Sequence, residues 1–276
     1  MCSKPKSMDS ILSQLPPGTN QYSYRSLRDF ESILRSEGAH LQLPEPKVSQ
    51  FILFTEIDTQ TFARDFENPV RDIVCHIIDS YYPFQGALVI KMKTGAHEAA
   101  HATFNKRLLR KLASMGSADD DLLGIGAKTI SSTSRSKEAD LAYRPLELPD
   151  GRSKQWPTLA LESGYSNSND LLESNARWWI SESGGDVKVA VTIDIHKQRR
   201  EVNVRIYGLQ HDETIEEQHA TVSQQQQGQS AHVNNAPLII SFHGLFLRDP
   251  TGDERDIEFD DDDMRHLGRA IWNEQF

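Results

Sequence analysis

Between residues 96 and 195 the hydrophobic periodicity changes in a set order: helix, three strands, helix, strand. That order constrains the fold more than any single motif. Thr94 is placed to cap a helix that begins near Ala96. It carries Ala100, Phe104, Leu108, Leu109 and Leu112 along one side and stops near Gly116. Two extended stretches follow, 124–133 and 137–143, joined by a turn around Ser134. Pro157-Thr158-Leu159-Ala160-Leu161-Glu162 reads as a third, mostly apolar strand. Asn169 to Ser181 is helical, with Leu171, Leu172, Trp178 and Trp179, and Gly184-Gly185 ends it. Val187 to Ile195 is strongly β-prone. Three strands so close in sequence suit a meander, and the whole predicts an α/β domain.

Outside that stretch, residues 1–22 read as a flexible arm, rich in Ser, Pro and Gly. Helical spacing is expected over 23–35 and 70–82, and strands at 51–54 and 86–90. Residues 201–207 alternate like a hairpin partner. Residues 211–236, with Gln224-Gln225-Gln226-Gln227, read as a disordered loop. A strand at 238–242 and a closing helix at 262–272 complete a single domain over 23–276, with its core at about 92–208.

Composition narrows the setting. No run of about 18 apolar residues occurs, which argues against a membrane span. Two cysteines make no disulfide framework, so a reducing intracellular compartment, cytoplasmic or nuclear, is expected. A net charge of −10 argues against coating nucleic acid by bulk electrostatics. Basic residues do cluster, at Lys106, Arg107, Arg110 and Lys111 and at Lys197, Arg199 and Arg200. Such clusters are commonly solvated faces, so charge alone names no partner.

Two constellations carry chemistry. His97-Glu98-Ala99-Ala100-His101 matches H-E-x-x-H, where two imidazoles four residues apart hold zinc and the glutamate acts as general base of a metallopeptidase. No downstream stretch offers an obvious third ligand, and Glu98 in a first helical turn is explained equally by the helix dipole. The second is Asp140, in Lys137-Glu138-Ala139-Asp140, with Glu162, which ends an apolar strand before Ser163-Gly164. Carboxylates from adjacent strands suit a hard divalent cation such as Mg²⁺. Read blandly, Asp140 caps a strand edge and Glu162 is a surface acid. Trp178 and Trp179 suggest base stacking or core packing, and packing is preferred because neighbours on a helix diverge by about 100°.

These residues also carry a resemblance. Lys137-Glu138-Ala139-Asp140, Arg144-Pro145, the run from Trp156 to Ser166 and Asn175-Ala176-Arg177-Trp178-Trp179 resemble a group of uncharacterised fungal proteins. Those are similar to the Uma family of restriction-endonuclease-like proteins in the PD-(D/E)XK superfamily. The resemblance implies an αβββαβ core, a mixed central sheet flanked by helices, with helical additions at both ends. It further implies Mg²⁺- or Mn²⁺-dependent hydrolysis of phosphodiester bonds in DNA or RNA, with Asp140 and Glu162 as the motif acids and Glu98 as an auxiliary metal ligand. The motif lysine is expected at position 164, which is Gly164 here; the following helix offers Arg177 in its place. Arg177 is therefore the expected catalytic cation near the phosphate. A catalytically silent nuclease fold that binds nucleic acid or protein is the alternative, and a zinc metallopeptidase built on His97, Glu98 and His101 the third reading.

Overall fold

A computed structural model describes residues 7–43, 48–67, 77–126, 128–165 and 170–276. Its first elements are α1 (Met8–Leu12), β1 (Asn20–Ser23), α2 (Leu27–Leu41), β2 (Phe51–Thr55), α3 (Thr59–Phe62), β3 (Ile78–Tyr82) and β4 (Ala87–Lys91). Next come α4 (Gly95–Ala113), β5 (Leu122–Gly124), β6 (Ile130–Ser131), β7 (Ser136–Lys137), β8 (Leu141–Pro145), β9 (Leu159–Tyr165), α5 (Asp170–Glu182) and β10 (Val189–Ile195). The chain ends with β11 (Glu201–Gln210), β12 (Glu213–Ser223), β13 (His232–Asn234), β14 (Leu238–Ile240), α6 (Phe242–Phe246), β15 (Ile257–Phe259) and α7 (Asp261–Gln275). These elements form two compact units where the sequence predicts one domain. The first spans Met1–Thr94 and Ala127–Glu138, the second Gly95–Gly126 and Ala139–Phe276.

The first unit is a six-stranded sheet in the order β1-β2-β4-β3-β7-β6, with β1 and β2 parallel and the other pairs antiparallel. Its core is aromatic: Phe30 of α2 lies 4.7 Å from Phe54 and 5.3 Å from Phe66, ring to ring. Every residue of β3 is buried, Asp79 included. Asp79 accepts the Lys137 ammonium at 3.1 Å and pairs with Arg135 at 3.4 Å, and all three side chains are buried. The helix expected over 70–82 is therefore wrong from Ile78 onward, while residues 68–76 lie outside the described residues. A strand buried on both faces lacks alternation, so its pattern passes for helical spacing. The arm expected at 1–22 is ordered in part: Ser7 caps α1 by accepting the Ser10 amide, and Ile11 is buried.

The second unit carries a seven-stranded mixed sheet, β13-β12-β11-β10-β9-β8-β5, in which β9 and β10 are parallel and the remaining pairs antiparallel. Helix α5 makes the crossover between the parallel pair, and such strands are buried on both faces; all of β10 is buried. Helix α4 presents Ala96, Ala100, Phe104, Leu108 and Leu112, each four residues apart, to Leu159, Leu161, Val191 and Ile193. Leu267 and Ile271 of α7 join the same core. On β9, side chains alternate, so Ala160 and Glu162 project from the opposite face, where Trp179 of α5 meets Glu162. The unit is thus mixed α/β, with helices on both faces of its sheet.

Two expectations need correction here. The stretches 124–133 and 137–143 are not continuous strands. Each is broken, and the β6–β7 hairpin joins the first sheet by pairing with β3. Residues 211–236 are not disordered throughout, because β12 pairs with β11 from end to end and buries Ala220 and Val222 completely. Its other side chains are exposed or half-buried, which gives the segment a polar composition without disorder. No helix among the described residues is long and apolar enough to cross a membrane.

Candidate active site

Leu141 of β8 pairs with Leu161 of β9, which sets Asp140 level with Glu162 across the antiparallel pair. The Asp140 amide donates to the Leu161 carbonyl at 3.1 Å. β8 starts one residue later, and there the Asp140 side chain takes over the ladder. Its Oδ2 accepts the Ser163 amide at 2.7 Å and the Ser163 hydroxyl at 3.2 Å. His97, buried in the first turns of α4, brings Nε2 to 3.1 Å from the same oxygen. Glu162 is only 1% exposed, and its Oε1 accepts the Trp179 indole N–H at 2.7 Å.

Glu98 stands apart from this pair. Its Oε1 lies 3.4 Å from His97 Nδ1 and its Oε2 3.4 Å from His101 Nε2. The three acids expected to share one ion, Glu98, Asp140 and Glu162, are not gathered as a single group. Among the described residues, the set whose ligand atoms all fall within 4.8 Å of one another is His97, Glu98 and His101. Arg177 is also not where it was expected to act. It is exposed, donates to Glu173 at 2.8 Å and bonds the Thr214 carbonyl, while Trp179, half a turn further on, faces Glu162. Trp178 and Trp179 are both buried, with ring centroids 4.9 Å apart and a T-shaped contact, so both pack.

Register places further polar groups beside Glu162 that the sequence reading missed. Thr192 is opposite Glu162, Arg205 opposite Thr192, and His219 opposite Arg205, a row across four strands on one sheet face. In the next row Asp194 neighbours Gly164 and Asn203. Arg205 reaches Asp194 at 3.8 Å and Glu216 at 3.3 Å. Burial, then Arg205, holds the His219 imidazole below its usual value, with Glu216 opposing. The only sequence signal for this row was polar residues alternating with Val202, Val204 and Ile206 along β11.

A cleft of about 790 Å³ in the same unit is lined by Arg107, Arg200, Arg265, His266 and Arg269, with Asp262 the acid among them. Burial lowers the His266 pKa, and Arg107, Arg269, Lys106 and Arg110 lower it further, a sign of cations converging from α4 and α7.

No protein-family model matches the sequence, and no curated protein matches it. Among solved structures, a candidate nuclease belonging to DUF820 from Anabaena variabilis is similar to this chain. It is 11% identical, with 75% of this chain and 97% of that one covered and a TM-score of 0.41.

Proposed function

We propose that the second unit is a nuclease-like domain that hydrolyses phosphodiester bonds of nucleic acid with Mg²⁺ or Mn²⁺, using Asp140 and Glu162 as its carboxylates. The observation that carries the reading is the register that sets these two acids level on neighbouring strands; their carboxylates are held from different sides of the sheet, Asp140 by Ser163 beside His97 of α4 and Glu162 by Trp179 of α5. The order α4, β5, β8, β9, α5, β10 supports it, since it follows the αβββαβ core of the PD-(D/E)XK proteins that the sequence resembles. The donor chemistry fits a hard dication, which takes oxygen ligands and one or two carboxylates. Such an ion, when bound, neutralises charge building on the phosphate and lowers the pKa of a coordinated water.

The chain's own residues do the positioning. Ser163 fixes the Asp140 carboxylate, with His97 Nε2 3.1 Å from it, and Trp179 fixes that of Glu162. Arg205, on the Glu162 face two strands away, is better placed than Arg177 to meet phosphate charge. The test is cleavage of plasmid and single-stranded DNA with Mn²⁺, comparing the native protein with Asp140→Asn and Glu162→Gln. Loss of cleavage in both variants, with native circular dichroism, supports the reading; undiminished cleavage in either overturns it.

A silent nuclease fold is the second reading, and one observation favours it: Gly164 stands at the motif lysine position while Arg177 is turned away to Glu173 and Thr214. That protein cleaves nothing with any metal, yet binds nucleic acid through the basic cleft.

A further inference from the structure

The start of α4 offers a second kind of cation chemistry. His97, Glu98 and His101 occupy one turn of a 19-residue helix, and their ligand atoms lie within 4.8 Å of one another. Two imidazole nitrogens and a carboxylate form the donor set of a borderline cation rather than of Mg²⁺, which keeps to oxygen.

The spacing agrees with that chemistry. Ligands at 2.0–2.2 Å from a tetrahedral zinc stand roughly 3.3–3.5 Å from each other. His97 Nδ1 to Glu98 Oε1 and Glu98 Oε2 to His101 Nε2 are both 3.4 Å. These separations exceed an ordinary N–H···O hydrogen bond, which is centred near 2.9–3.0 Å.

Asp140 supplies an independent observation. His97 Nε2 lies 3.1 Å from the Asp140 carboxylate, which leaves Nδ1 as the ring atom on the Glu98 side. A carboxylate behind a metal-ligating histidine fixes the tautomer, aims the ring and raises its basicity. The carboxylate lying next to His97 is the kind of group such a site needs.

We infer that His97 Nδ1, Glu98 and His101 Nε2 form a site for a divalent transition-metal ion of the Zn²⁺ class, with Asp140 as the residue that orients His97. Three protein ligands leave a fourth position for water or an anionic ligand. The site differs from the pair proposed for Mg²⁺ or Mn²⁺, because Glu162 has no part in it. It stands whether or not the protein cleaves nucleic acid.

The experiment is titration of the metal-free 276-residue chain with Co²⁺, followed by visible absorption, and with Zn²⁺, followed by calorimetry. One equivalent is expected to bind, with the intense visible bands of low-coordinate Co²⁺. His101→Ala, a change at a partly exposed side chain, weakens binding at least tenfold while the apo protein melts as before. Asp140→Asn weakens Zn²⁺ binding roughly 10–100-fold, the usual cost of losing an orienting partner. Glu162→Gln leaves both titrations unchanged. Absence of binding to the native protein, or equal binding by His101→Ala, overturns the inference. Weakening by Glu162→Gln equal to that of His101→Ala also overturns it, since the ion would then belong to the strand acids. Mn²⁺-dependent cleavage is scored on the same samples, so either idea can fail alone: cleavage without Co²⁺ binding sinks only the helix site, and Co²⁺ binding without cleavage sinks only the nuclease reading.

Discussion

Trp179 donates its indole N–H to the buried Glu162 carboxylate at 2.7 Å, so helix α5 holds the acid that the neighbouring strand carries. Trp179→Phe keeps most of the ring packing and removes the donor. Leaving a buried polar group without its partner costs about 1–3 kcal/mol, more when the group is charged. Urea unfolding of the native protein and Trp179→Phe, each with and without Glu162→Gln, forms a double-mutant cycle. A positive coupling is expected. Zero coupling shows that the bond contributes nothing to stability.

The two arginines are expected to behave differently in cleavage. Arg177→Ala removes an exposed i,i+4 pair with Glu173, worth only about 0.2–0.5 kcal/mol of helix stability, and leaves kcat/KM unchanged. Arg205→Ala lowers it, because Arg205 shares the sheet face of Glu162. Kinetics on a short fluorescent DNA duplex decide between them, and the reverse ranking returns Arg177 to the site.

In the first unit, stability depends on one aspartate. Burial alone raises the Asp79 pKa, yet Lys137, Arg135 and Lys91 overcome it and hold the carboxyl at about 2. A carboxyl held below its unfolded value stabilises the fold above that value, and the contribution is lost as pH falls from about 4 toward about 2. Asp79→Ala removes the carboxylate that pairs with buried Lys137 and Arg135 and is expected to cost about 3–5 kcal/mol near neutral pH. Thermal melts at pH 7 and pH 3 check both statements. The difference between native and variant must shrink at the lower pH.

The basic cleft predicts a salt effect. Each phosphate-contacting cation adds about one to the slope of log K against log salt, so Arg200→Glu with Arg269→Glu lowers that slope by roughly two. Fluorescence anisotropy of a labelled oligonucleotide across a salt series measures it. An unchanged slope removes the cleft from the nucleic-acid path.

At the N-terminus of α7 the acidic run has a structural use. Asp260 accepts the Asp263 amide at 2.9 Å and Asp263 accepts the Asp260 amide at 3.1 Å, a reciprocal cap. Asp260→Ala is expected to cost about 0.5–2 kcal/mol. Differential scanning calorimetry checks it, and an unmoved melting temperature means the cap is dispensable.

What the sequence disclosed follows from periodicity. Ala96 to Leu112 and Leu171 to Ile180 have stripes that only a helix buries, and both helices form. Val189 to Ile195 has a β-branched run that suits a doubly buried strand, and β10 forms. Ile78 to Tyr82 failed because burial on both faces erases alternation, and β12 because its outward residues hid Ala220 and Val222. The level placement of Asp140 and Glu162 depends on a register that local pattern does not carry. Arg205 and Thr192 were invisible for the same reason, since cross-strand neighbours lie far apart in sequence. Arg177 was expected to face the two acids, but a helix turns each residue by about 100°, and Trp179 takes the direction toward Glu162 while Arg177 meets Glu173.

The departure of residues 128–138 into the first sheet also governs how the protein tolerates dissection. A fragment beginning at residue 95 retains β7, Arg135 and Lys137 but discards β3 and Asp79, their ladder partner and counter-ion. Two cations without the aspartate they pair with would then sit immediately upstream of Asp140. Trimming the gene to its second unit therefore requires excising this detour as well, joining residue 126 to residue 139 by a short turn.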